Sequence, residues 1–89
     1  MSDEVLSYED KVNIVKSHQK NLRFNEYNLN LSLKQESSKA SPSEASIIDI
    51  KAQAADVQRQ ITILQEELDS LEHEEQLRLQ NANKVENGE

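Results

Sequence analysis

Residues 47–71 read IIDIKAQAADVQRQITILQEELDSL. Apolar side chains fall at Ile47, Ile50, Ala54, Val57, Ile61, Leu64, Leu68 and Leu71, with spacings that alternate three and four. On a helix turning every 3.6 residues, that spacing draws one continuous apolar stripe. Held over about three and a half heptads, it is the a/d seam of a coiled coil. The next two seam positions, Glu75 and Arg78, are polar, so the seam stops near Leu71. The end of the chain, NANKVENGE over 81–89, reads as a disordered tail.

Upstream of the seam, Ser41-Pro-Ser-Glu44 marks a helix start. Ser41 stands at the N-cap position, Pro42 at the first helical position and Glu44 three residues after the cap, which is a capping box. The second helix is therefore expected over 42–80, with its coiled coil at 47–71. Before it, QESSKA (35–40) is polar, Ser-rich and aperiodic, so 35–41 reads as a loop.

The first forty residues carry a weaker version of the same pattern. Tyr8, Val12, Val15, Gln19, Leu22, Glu26, Leu29 and Leu33 follow a three-four spacing, with Gln19 and Glu26 as polar members. Ser7 and Asp10 offer a second capping box. A competing reading takes NLNLSL (28–33) as a strand, because it alternates with period two. No second alternating run exists to pair with it, which favours the helix. A helix over 7–34 follows, after a flexible N-terminus over 1–6.

Two such helices joined by a short loop make an all-α, two-helix antiparallel coiled-coil hairpin. The preferred register sets Tyr8 opposite Leu68, Val15 opposite Ile61, Leu22 opposite Ala54 and Leu29 opposite Ile47, with Gln35 level with Pro42. A second register, one heptad further along, sets Leu33 opposite Ile50 and Tyr8 opposite Glu75. In either one, Lys11 faces acid on the second helix, at Glu67 or Glu74. Gln19 and Glu26 are expected to face solvent; the alternative is that they are buried and fix the register.

A lone hairpin is marginal. One seam buries too little apolar surface to offset ordering costs of about 1.5 kcal/mol per residue. Phe24, Tyr27 and Leu31 form an apolar row on the outer face of the first helix, and Ile48, Ala52 and Ala55 lie on the outer face of the second. Phe24, Tyr27, Leu31 and Ile48 are thus the candidate partner surface. Ile14 and Ile63 make a further pair outside the seam. Packing into a larger helical bundle, as a homo-oligomer or part of a larger protein assembly, is the expected outcome.

Composition narrows the function classes. The sequence has no Cys, which removes disulfides and thiolate metal sites. Its single Gly and single Pro argue against a turn-rich all-β fold. The longest apolar run is two residues, Ile47-Ile48, and the first residues are acidic, so neither a membrane span nor a signal peptide is expected. The reading is a protein that stays in the cytoplasm. Net charge is −7. Residues 1–40 hold six acidic and six basic groups, so the whole excess lies in residues 41–89. Such a chain repels nucleic acid and anionic lipid.

No chemistry-bearing constellation emerges. Glu66, Asp69 and His73 share a helix face that a divalent cation could use, but a solvated acidic face is the preferred reading. His18 stands alone. There is no phosphate-cradling Gly-rich loop and no nucleophile elbow, and carboxylates on a solvated helix have no pocket to shift their pKa. Asn30-Leu-Ser32 matches a glycosylation sequon that matters only on a secretory route. The acids at 66–75 are too crowded to trace a phosphate ladder, which disfavours a DNA mimic. The expectation is a non-enzymatic protein with no cofactor and no metal.

Two stretches, SHQKNLRFNEYNLNLSL (17–33) and, beyond the Pro-containing loop, IIDIKAQAADV (47–57), resemble small uncharacterised coiled-coil proteins of tailed phages of marine cyanobacteria. The resemblance implies a virion component or an assembly accessory inside a host cell, and carries over no functional residue. A regulatory adaptor or inhibitor that captures a helix of a cellular target is the alternative.

Overall fold

The computed structural model of the chain describes residues 5–88, with side-chain surroundings given through residue 82. It has two helices, α1 (Tyr8–Ser37) and α2 (Glu44–Gly88), packed along one another as an antiparallel hairpin. The molecule is a rod with principal extents of 75 × 29 × 14 Å. NLNLSL is helical, so the strand reading of 28–33 falls away. The expected flexible segment over 1–6 lies, for residues 1–4, outside the described residues, as does Glu89.

The start of α1 follows the sequence. Ser7 is the N-cap, its hydroxyl accepting from the Asp10 N–H at 3.0 Å while its own N–H reaches Asp10 Oδ2 at 3.4 Å. Two N–H groups that a helix start leaves unpaired are thereby satisfied. At the other end, α1 runs to Ser37 rather than stopping at residue 34. The Ser38 hydroxyl then donates to the Lys34 carbonyl at 2.7 Å, closing the last turn without a glycine.

The start of α2 departs from expectation. Its first helical residue is Glu44 and its cap is Ser43, not Ser41: the Ser43 hydroxyl accepts from the Ser46 N–H at 3.2 Å, and the Ser43 carbonyl accepts from Ile47 N–H at 3.0 Å. Pro42 therefore precedes the cap. Serines flank the proline on both sides, and either can cap. The one chosen has its own N–H bound by the Glu36 carboxylate, at 2.7 Å, across the turn. Glu36 does from the neighbouring helix what the third residue of a capping box does from within. The loop is thus 38–43 instead of 35–41.

The far end of α2 differs too. It is helical to Gly88, past the expected limit at residue 80 and through most of the stretch read as a disordered tail. A helix satisfies its backbone internally and needs no seam to continue, and Ala82, Lys84 and Glu86 are good helix formers. What stops near Leu71 is the apolar seam and not the helix.

Burial follows the seam. On α2, Ile61 and Leu71 are buried and Ile47, Ile50, Ala54, Val57, Leu64 and Leu68 are half-buried, while the residues between them are exposed. On α1 the matching row is Val12, Val15, Gln19, Leu22, Glu26, Leu29, Leu33 and Glu36. A side chain in a two-helix seam is covered from one direction only, and among the described residues no side chain falls below 2% exposure.

The register is the second of the two alternatives. Gln19 Nε2 donates to Gln65 Oε1 at 3.2 Å. Shallow depressions along the groove join His18, Asn21 and Leu22 to Gln60, Ile63 and Leu64, and Asn25 and Leu29 to Gln53 and Val57. Nearer the loop another joins Ser32 and Glu36 to Ser46 and Ile50, and at the open end Tyr8 and Lys11 meet Leu71, Glu74 and Glu75. Leu22 is therefore level with Ile61, Leu29 with Ala54 and Leu33 with Ile50. The expected register, with Leu22 level with Ala54, is one heptad off. It would leave Leu33 in the turn and Glu36 out of reach of Ser43. The realised register gains both contacts and gives up the layer that Val5 would have formed, so Val5 is 85% exposed.

Candidate functional site

The candidate site of this protein is its outer surface. Eleven large apolar side chains among the described residues are exposed, from Val5 to Leu79, against two that are buried. Phe24 (59% exposed), Tyr27 (64%), Leu31 (39%) and Ile48 (67%) all lie in the open, where their heptad positions put them. They do not form one patch. Counted from the seam, Phe24 and Leu31 point directly away from α2, while Tyr27 and Ile48 lie on one flank of the hairpin. In the realised register Ile48 is level with Gln35, so it sits roughly 16 Å along the axis from Phe24. Ile14 and Ile63 are exposed on the opposite flank.

Charge is arranged across the hairpin. Between Lys11 and Asn25, α1 carries Lys11, Lys16, Lys20 and Arg23 and no acid. Between Ile61 and Gln76, α2 carries Glu66, Glu67, Asp69, Glu72, Glu74 and Glu75 and no Lys or Arg. The antiparallel register brings these stretches alongside one another. One edge of the rod is basic and the other acidic over about half its length. Lys11 and Glu74 line the same depression at the open end.

The ion pairs among the described residues are local. They join Glu36 to Lys39 at 2.8 Å, Asp56 to Arg59, and Glu75 to Arg78 at 2.8 Å. Lys16, Lys20 and Arg23 pair with no described acid, and Glu66, Asp69 and Glu72 with no described base. The Lys39 ammonium and the Ser43 N–H hold the Glu36 carboxyl below the usual carboxylate range. The bidentate hydrogen bond from Arg78 lowers Glu75 and raises Arg78 in turn.

Among the described residues Gln19 is the one buried polar side chain, at 8% exposure. It was expected in solvent. It lies in the seam because its position is an a position of α1, and the Gln65 amide oxygen at the edge of the groove satisfies it. Glu26, the other polar seam member, is half-buried. Sequence spacing alone marks both as seam positions. Their burial depends on the neighbours that the register supplies.

Glu66, Asp69 and His73 are exposed along the α2 surface. Among the described residues no group of three or more His, Asp or Glu side chains is close enough to hold a metal ion. Nor, among those residues, is any helix long and apolar enough to cross a membrane. No family model, no curated protein and no solved structure matches this chain. Fold and surface together define a two-helix antiparallel hairpin with a thin core and apolar side chains on three sides.

Proposed function

We propose that this chain is a non-enzymatic structural or assembly protein that works by packing its helices against other protein surfaces. One observation carries the proposal: two apolar side chains are buried and eleven large ones are exposed among the described residues. A rod with so thin a core gains its remaining stability by burying more apolar surface elsewhere. The exposed side chains also lie on several sides: the back of α1, the Tyr27 and Ile48 flank, and the Ile14 and Ile63 flank. A single captured helix would cover one of these, whereas a bundle of hairpins covers several. That favours an assembly component over an adaptor for one target helix. The resemblance to tailed-phage proteins extends the proposal to a virion component or an accessory of its assembly, acting in the cytoplasm of a host cell.

Light scattering after size exclusion, read with circular dichroism on the same fractions, tests this. A stably helical homo-oligomer is the expected result. A poorly helical monomer that folds only when a partner is added would favour the adaptor instead.

A further inference from the structure

The flank of the hairpin that holds Tyr27 and Ile48 is divided by charge over the stretch from Lys16 to Arg23 on α1 and from Gln65 to Glu72 on α2. Its α1 half presents Lys16, Lys20, Arg23, Tyr27 and Lys34, all exposed, with the exposed Glu9 on the same face at the open end. Its α2 half presents Ile48, Lys51, Ala55, Thr62, Gln65, Asp69 and Glu72, with the acids towards the open end and Lys51 near the loop. In the realised register Lys16 is level with Glu67, so Asp69 and Glu72 lie within about one turn and a half of it along the axis. Tyr27 is level with Asp56, beside the small side chain of Ala55.

We propose that this flank binds the same flank of a second copy through a two-fold axis running along the rod, giving a closed four-helix bundle. The inference rests on the assembly reading above and deepens it by naming the first partner. A rotation about the long axis lays α1 of one copy over α2 of the other and keeps every residue at its own height. Lys16 then lies about 3 Å along the axis from Asp69 of the second copy and Lys20 about 9 Å. Glu9 comes beside Glu72 and Lys34 beside Lys51, and the Tyr27 ring comes over the surface that Ala55 leaves low. Because the axis is two-fold, each contact is made twice. The other face-to-face arrangement, with the two-fold across the rod, lays α1 on α1 and basic residues on basic residues. Charge complementarity of this kind selects the partner and its orientation more than it supplies affinity. The apolar gain comes from Tyr27 and Ile48, 64% and 67% exposed in the single hairpin.

The test is a charge exchange between two full-length variants. One carries Lys16→Glu with Lys20→Glu, the other Asp69→Lys with Glu72→Lys. All four positions lie outside the seam. Each variant alone should dissociate at a concentration at least tenfold higher than the wild-type protein, because like charges now meet across the axis. An equimolar mixture should restore a species of twice the chain mass, measured by analytical ultracentrifugation. A variant that loses helicity alone should regain it in that mixture. Variants that associate as tightly as wild type overturn the dimer geometry and leave the assembly reading standing. A mixture that fails to re-form, or that climbs past the dimer in a ladder of masses, overturns the closed two-fold arrangement. A wild-type protein that stays monomeric and helical at every concentration overturns both.

Discussion

At the scale of single residues, Gln19 and Glu36 carry opposite lessons. Gln19 holds an amide inside a seam that has little apolar surface to spare, and its bond to Gln65 offsets the loss of water without adding much. A neutral side-chain hydrogen bond contributes about 1 kcal/mol net, and a buried Leu contributes about 2 kcal/mol. Gln19→Leu should therefore stabilise the fold by about 1 kcal/mol and Gln19→Ala should destabilise it by a similar amount, as read by urea unfolding. A Leu variant less stable than wild type would mean the amide pair outweighs its burial. Glu36 instead ties the turn through the Ser43 N–H and Lys39. Its carboxyl titrates lower in the folded hairpin than in the unfolded chain. Its contribution is complete above the ordinary glutamate value, about 4.3, and is lost as pH falls through the lower folded value. Glu36→Ala should lower the thermal midpoint at about pH 7 and have no such effect at about pH 2. Glu75, also lowered, is common to both proteins, so the difference between them isolates Glu36.

At the scale of the helices, register is the property to measure. With thiols at Leu33→Cys and Ile50→Cys, a short thiol-to-thiol cross-linker should close within one chain. With thiols at Glu26→Cys and Ile50→Cys, the pairing of the other register, it should not. Equal yields from the two pairs would mean the hairpin slides between registers. The seam from Ile47 to Leu71 is legible in sequence because three-four spacing is a property of one helix and needs no partner to be read. Register is a property of two helices, and a slip of one heptad sets apolar on apolar almost as well. Even the Gln19 amide does not choose, since Gln58 stands one heptad before Gln65. What separates the registers is the Leu33–Ile50 layer and the reach of Glu36 to Ser43, and both depend on where the turn closes. That point lies among four serines and a proline, Ser37, Ser38, Ser41, Pro42 and Ser43, where several caps are chemically equivalent. The same heptad shift moves Ile48 away from Phe24. The outer apolar residues could thus be named from sequence, while their grouping into patches could not.

At the scale of the whole molecule, the sign of one substitution separates a free rod from an assembled one. Tyr27 is 64% exposed on α1 and makes no hydrogen bond among those described. If the hairpin works alone, Tyr27→Ala removes little packing and puts a better helix former in the same place, a gain of up to about 0.5 kcal/mol. The thermal midpoint would then hold or rise slightly, and it would not depend on protein concentration. If the flank is covered by a second copy, the ring is an aromatic anchor desolvated at an interface, and losing one typically costs about 2 kcal/mol or more. Folding and association are then linked, so the wild-type midpoint rises with concentration by mass action. We expect the second pattern: Tyr27→Ala lowers the midpoint, measured by circular dichroism at two concentrations about a hundredfold apart, and lowers it further at the dilute end. Helix propensity and interface burial push this substitution in opposite directions, and a fall in midpoint that grows at the dilute end reports a surface covered by a second copy.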